Sequence, residues 1–208
     1  MLRQTLRRHD AGADGAPAAI TASLSRIRPR MLRIDYHASG GAGHIALPLR
    51  EQEAGARTDG LWQRTCFELF VRPGDGPGYY EFNFSPSAAW AAYRFDGYRA
   101  GMAALEPLAA PQIDLMLRPP FDSTKPQPIR SRAEAKRDAR EHLWVQVTLD
   151  LERLHALPVD VPWHVGLSAV IEEKSGAKSH WALAHPEGAP DFHDPACFAL
   201  QLPAARPA

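Results

Sequence analysis

Cysteine is scarce in this chain, with Cys66 and Cys197 the two among 208 residues. That is too few, at too wide a spacing, for a disulfide framework or for paired metal-binding motifs, so both are expected as reduced, semi-buried thiols. Net charge is also lacking: 24 basic residues balance 24 acidic ones. Nucleic acid is therefore not an expected partner, because phosphate neutralisation needs clustered Lys and Arg. No apolar run approaches the roughly 18 residues of a membrane span, so no membrane partner is expected either. The opening MLRQTLRRHDAGADG is basic but has no apolar h-region, which makes the cytoplasm the expected location. No glycine-rich loop stands between a strand and a helix to cradle a phosphate. No haem-attachment motif occurs, and neither His185 nor Met102 has an evident second axial partner. Helical periodicity is nearly absent as well. SRAEAKRDARE, from Ser131 to Glu141, has the composition of a helix without an apolar stripe, and reads as a solvated loop or short charged helix.

What the chain has is alternation. From Asp59 to Met102 three runs change polarity residue by residue, as a strand between two environments requires. In Arg64–Val71, Phe67, Leu69 and Val71 alternate with Cys66, Glu68 and Phe70. In Tyr79–Phe84, the residues Tyr80, Phe82 and Phe84 lie opposite Tyr79, Glu81 and Asn83. In the third run Tyr93 and Phe95 are set against Trp90, Arg94 and Asp96. Read together, Phe67, Phe82 and Tyr93 face a core, and Glu68, Glu81, Asn83 and Arg94 share the other side.

The rest of the chain follows the same period. Strands are expected at Ile20–Leu24, Met31–His37, His44–Leu47, Gln112–Arg118, Leu143–Leu149, Trp163–Ile171, Ser179–Ala184 and Cys197–Leu202. Residues 1–16 have no clear period and read as a loose segment or as an edge strand around Leu2 to Leu6. LREQEAGARTDG is polar and delivers Trp62 to the rim of the central stretch. Pro119, Pro120, Pro126 and Pro128 confine any pairing near them to edges. Asp150 is a candidate N-cap for one helical turn before Pro158. About ten strands, little helix and regular turn signals specify an all-β protein, expected as a two-sheet antiparallel β-sandwich of jelly-roll-like layout over residues 17–203. Phe67, Phe82, Tyr93, Val145 and Leu167 should meet in one core.

Several residues carry chemistry. Glu68 and Glu81 fall on one face of neighbouring strands. There they can pair with Arg94, accept hydrogen bonds from ligand hydroxyls, or work as acid and base with one pKa raised by the other. Trp62, Trp90 and Trp181 are candidate stacking platforms, and Trp144 and Trp163 read as core or partly exposed. Tyr79 and Asn83 share the carboxylate face. The loop HPEGAPDFHD gathers His185, Asp191, His193 and Asp194. Imidazole beside carboxylate suits a divalent metal, but the spacing matches no ligand geometry, and such residues also serve turns. His185, Asp191 and His193 are thus weak metal candidates, expected mainly to fix the loop. No cofactor is expected, a haem or a divalent metal being the alternative.

Three segments carry a resemblance: DGLWQRTCFELFV, then YYEFNFSPSAAWAAYRFDGYR, then GLSAVIEEKSG with KSHWALAHPEGAPDFHD. Together they resemble the bacterial DOMON-like proteins, a group similar in fold to family-nine carbohydrate-binding modules and to the haem- or sugar-binding DOMON domains. The resemblance spans most of residues 18–202, with YYEFNFSP and HWALAHP its most specific parts. It implies a β-sandwich that binds a ligand rather than catalyses. The expected function is accordingly a non-catalytic module for a carbohydrate or other small polar molecule, held by Trp62, Glu68, Tyr79, Glu81, Asn83, Trp90, Arg94 and Trp181. The alternatives are a glycoside-active enzyme using Glu68 and Glu81, and a protein-interaction domain.

Overall fold

A computed structural model describes residues 1–9, 15, 17–48, 55–106, 108–117, 133–134 and 141–205. Twelve strands among these residues carry the fold: β1 (Leu2–Arg8), β2 (Ala19–Arg28), β3 (Met31–Ser39), β4 (Cys66–Pro73), β5 (Tyr79–Phe84), β6 (Trp90–Phe95), β7 (Ala103–Ala104), β8 (Gln112–Met116), β9 (His142–Asp150), β10 (Trp163–Glu172), β11 (Lys178–Ala182) and β12 (Leu200–Leu202). All pair antiparallel, in the order β7-β6-β5-β4-β10-β11-β1-β2-β3-β9-β8, with β12 added beside β10. The all-β class is as the alternation requires. The layout is not: one continuous sheet curls on itself where two separate sheets were expected.

The reason lies in the first strand. Leu2–Leu6 pairs with β2, while Arg7 and Arg8 continue onto β11, so one short strand belongs to both halves of the sheet. Of the two readings of residues 1–16, Leu2–Arg8 takes the strand. Its period-two signal is faint because Leu6 alone is fully buried in it.

The curl wraps a single large core. Leu32, Ile34 and Tyr36 of β3 and Val145 and Val147 of β9 meet Phe67 and Leu69 of β4, Phe82 of β5 and Leu167 of β10. The Tyr36 hydroxyl crosses that core to donate to the Glu68 backbone oxygen at 2.6 Å, and its ring packs on Phe67 with centroids 4.9 Å apart. A buried tyrosine needs such a partner. Trp163 is fully buried in the same core, its N–H donating to the Pro158 oxygen at 2.7 Å. Four of the five expected core residues sit here. Tyr93 does not; it belongs to a second, smaller cluster on the opposite face of β4–β6.

Smaller departures are local. The expected strand His44–Leu47 is a tight turn at Ala42–His44 followed by one bridge from Ile45 to Glu173. After β9 the Asp150 carboxylate accepts from the Glu152 N–H, but the backbone then makes two consecutive tight turns instead of a helical one. Cys66 and Cys197 are both buried and unpaired. Most of Ser131–Glu141, and Pro119, Pro120, Pro126 and Pro128, lie outside the described residues, as do residues 49–54 of the loop before Trp62.

Candidate functional site

Register decides which side chains meet. Glu68 pairs with Asn83, Phe70 with Glu81, and Glu81 in turn with Tyr93. One face of β4–β6 therefore carries Glu68, Phe70, Tyr79, Glu81, Asn83, Tyr93 and Phe95. The opposite face, toward the main core, carries Phe67, Leu69, Phe82, Phe84, Trp90 and Ala92. β10 and β11 extend the first face through Ser168, opposite Glu68, and through Val170, opposite His180.

Two loops roof this face. In the first, Gly60 takes a left-handed φ of 75° and opens the turn Leu61–Gln63, which stands Trp62 out at 40% exposure. The indole meets Tyr93 edge-on at 6.1 Å, and the Tyr93 hydroxyl ties the loop by donating to Asp59 at 2.6 Å. The second roof is the loop from His185 to Phe198. Its Asp191 carboxylate accepts from the Arg99 guanidinium at 2.8 Å, from the Tyr98 hydroxyl, and from the His193 N–H at 3.0 Å. Gly166 lets this loop settle: a Cβ there would lie 3.2 Å from the Cys197 oxygen and 3.3 Å from Phe70 Cβ. Between face and roof lies a cavity of about 320 Å³. Trp62, Tyr93, Phe95 and Phe192 give it aromatic surface, Met102, Val170 and Pro190 aliphatic surface, and Glu68, Glu81, Arg99, His180 and His193 its polar groups.

The two carboxyls are the unusual feature. Glu68 is 2% exposed and Glu81 5%. Burial, reinforced by the charge of Glu81, holds the Glu68 carboxyl well above the usual carboxylate range. Burial likewise raises Glu81 to about 7, against the lowering effect of the Asn83 amide and of Arg99. The pair thus retains protons at neutral pH and does not carry two charges. Among the described residues each carboxyl has one donor: Ser168 to Glu68 Oε2 at 3.2 Å, and Asn83 to Glu81 Oε1 at 2.6 Å.

His193 completes the polar wall. Its Nδ1 is 2.7 Å from the Tyr79 hydroxyl, which itself accepts from the Arg99 N–H at 3.3 Å. With Tyr79 donating to Nδ1, the ring carries its proton on Nε2, on the side of Glu81 Oε2 at 3.9 Å. Burial first, then Arg99, depress His193 to about 4, so it is neutral at physiological pH. Burial raises the Tyr79 phenol. The arrangement offers hydrogen bonding, ring stacking and a carboxyl near neutrality, in a space large enough for one small molecule.

Of the residues singled out by sequence, Trp62, Glu68, Glu81 and His193 line the cavity, and Tyr79 and Asn83 stand behind it as partners of His193 and Glu81. Trp90, Arg94 and Trp181 must be moved away from it. Trp90 is in the main core with its N–H on the Gly55 oxygen at 2.8 Å. Trp181 is in the same core, its N–H on Ser179 at 2.9 Å, and its neighbour His180 is the residue that reaches the cavity. Arg94 points to solvent and pairs with Asp96 at 2.8 Å. The phase of β6 is thus the reverse of the sequence reading: Tyr93 and Phe95 share a face with the glutamates, and Trp90 and Arg94 do not. The three metal candidates diverge, His185 bonding the Arg7 oxygen at 2.9 Å while Asp191 holds Arg99. No cluster of three or more metal-ligating side chains occurs among the described residues. Sequence reasoning passed over Arg99, His180 and Phe192. Arg99 lies in FDGYR, and its φ of 51° marks a turn that the Asp-Gly pair signals.

Fold and cavity together define an all-β protein with an aromatic-walled, carboxyl-floored cavity under two loops. No helix among the described residues is long and apolar enough to cross a membrane. No protein-family model matches the chain, and no curated protein matches it. Among solved structures, it is similar in fold to a proposed carbohydrate-binding protein from Bacteroides uniformis, with a TM-score of 0.54 and 12% identity, over 86% of this chain and 75% of that one.

Proposed function

We propose that this protein is a non-catalytic module that takes a carbohydrate, or another small polar molecule, into the cavity between the β4–β6 face and its two loops. The observation that carries the reading is one cavity of about 320 Å³ in which the Trp62 indole stands with the buried carboxyls of Glu68 and Glu81. A sugar ring suits both features: its C–H face packs on an indole, and its hydroxyls reach the carboxyls and the His193 N–H. The description of the B. uniformis neighbour supports the same ligand class. So does the resemblance to DOMON-like proteins and family-nine modules. The reading needs no cofactor. A site with two loops as its roof and one stacking ring is expected to bind in the micromolar to millimolar range.

A glycan and metabolite screen by thermal shift, followed by calorimetry on the hits, tests it. Trp62→Ala and Glu81→Gln should each weaken a hit about tenfold or more with the melting temperature retained. Hits whose affinity neither change alters would place binding elsewhere and remove the reading. A second reading, a glycoside-active enzyme, is favoured by the Glu81 value of about 7, which suits a general acid or base. Release of the aryl group from aryl glycosides, abolished by Glu81→Gln, would establish it over simple binding.

A further inference from the structure

The cavity holds two buried carboxyls with no cation set against them among the described residues, and a neutral sugar would supply none. Among the described residues, neither Glu68 nor Glu81 forms an ion pair with a lysine or arginine. Arg99 is at the rim, but its guanidinium is engaged by Asp191 at 2.8 Å. His193 and His180 are held uncharged at neutral pH, burial lowering both. Among the described residues each carboxyl also keeps one oxygen without a hydrogen-bond partner. Ser168 reaches Oε2 of Glu68 and Asn83 reaches Oε1 of Glu81, while His193 Nε2 lies 3.9 Å from Glu81 Oε2, beyond hydrogen-bond distance. Two nearly buried carboxyls with one unused oxygen apiece therefore face a space walled by Trp62, Tyr93, Phe95 and Phe192. A metal ion is not the favoured occupant: His180 and His193 also line the cavity, but no three metal-ligating side chains gather there among the described residues. An organic ammonium does: it donates to the open oxygens and lies favourably over aromatic faces.

We propose that the ligand of this cavity is a small ring bearing one ammonium group, bound through Glu81 and Glu68 with its ring against Trp62. The proposal rests on the reading of the cavity as a small-molecule site, and it narrows the ligand from polar to cationic. Two sources share that chemistry, an amino sugar and a non-sugar cyclic amine. Binding the cation holds Glu81 ionised, so it releases a proton from the carboxyl pair. Groups facing Glu81 set how steep that response is: Glu68 from β4, Tyr93 from β6, Tyr79 on its own strand, His180 from β11, and Arg99 with His193 from the roof.

Matched pairs test the idea on the full chain. Glucosamine is compared with glucose, and cyclohexylamine with cyclohexanol, by calorimetry at pH 7. Each amine should bind about tenfold or more tightly than its neutral counterpart. The affinity of cyclohexylamine, whose charge is fixed across this range as a lysine's is, should fall about tenfold or more as the pH drops from 8 to 5. Glu81→Gln should remove both the preference and the pH dependence. Preference in the sugar pair alone supports an amino sugar. Preference in the cyclohexyl pair alone supports a non-sugar amine, and then the ammonium assignment holds while the carbohydrate reading fails. Glucose binding as well as glucosamine, weakened by Trp62→Ala, overturns the ammonium assignment and leaves the carbohydrate reading intact. No binding by any of the four at about 10 mM overturns it, as does an amine preference that survives in Glu81→Gln.

Discussion

Glu81 and His193 face each other across the cavity wall, and burial acts on them with opposite consequences for stability. Glu81 is raised from 4.5 to about 7, so the folded protein binds the extra proton there. That contribution is fully present below about 4.5 and is lost as the pH rises through 7. His193 is lowered from 6.5 to about 4, so its contribution is present above about 6.5 and is lost as the pH falls through 4. Each shift corresponds to about 3 kcal/mol at most, at roughly 1.4 kcal/mol per unit, and between pH 4.5 and 6.5 their opposite pH slopes nearly cancel. The single variants should separate them. Glu81→Gln should leave a protein whose urea midpoint rises with pH between 4 and 6.5. His193→Gln should leave one whose midpoint falls between 4.5 and 7. Parallel profiles for the two variants would show that burial does not set these two groups.

The elements were legible in proportion to how one-sided their environments are. β3 and β9 alternate cleanly because one face meets the core and the other meets water, and the period alone places a residue such as Val145 in the core. β4–β6 are covered on both faces, so polarity no longer labels a side. Phe70, Tyr79 and Phe95 are as buried as Phe67 and Phe82, yet they pack in the second cluster. Grouping Arg94 with the glutamates by charge inverted β6, since a one-residue change of phase exchanges every side chain between faces. The turn at Ser85–Ala89, with the Ser85 N–H on the Ala89 oxygen at 2.9 Å and Ala88 at a φ of 70°, fixes the true phase. Nothing in the alternation specifies that register. The cavity's carboxyls and Trp62 were readable; its roof was not, because Arg99 and Asp191 are distant in sequence and meet only once the loops fold over. The roof's seat on β10 can be tested at Gly166. In Gly166→Ala the new methyl would crowd a backbone oxygen at 3.2 Å, and Phe70 cannot give way inside its cluster. The expected cost is about 1–3 kcal/mol by chemical denaturation, with faster proteolysis between His185 and Phe198. A variant as stable as the parent would mean that the loop does not depend on this contact.

At the scale of the molecule, β1 closes the curl. Its first residues pair with β2 and its last two with β11, so the same strand covers one edge of each half of the sheet. Without it, β2 and β11 would present open edges, which invite pairing with other chains. β1 also adds to the core, since Leu6 is 2% exposed and packs in the main cluster, with Leu2 against its margin. The halves have a second bond: the core itself, with Tyr36 reaching from β3 to the backbone of Glu68 at 2.6 Å. Two perturbations of β1 distinguish which connection matters more. Leu6→Ala leaves the strand pairing intact and removes core volume, and should cost about 2–4 kcal/mol. Leu6→Ala with Arg7→Pro also removes the N–H of Arg7, the residue paired with Ala182 on β11, and bars regular pairing there. If β1 is the closure, the double change should lower the urea midpoint well beyond Leu6→Ala alone and shift the protein toward larger species on size exclusion. If the core alone holds the halves together, the double variant should denature within about 0.5 kcal/mol of Leu6→Ala and elute as the parent does.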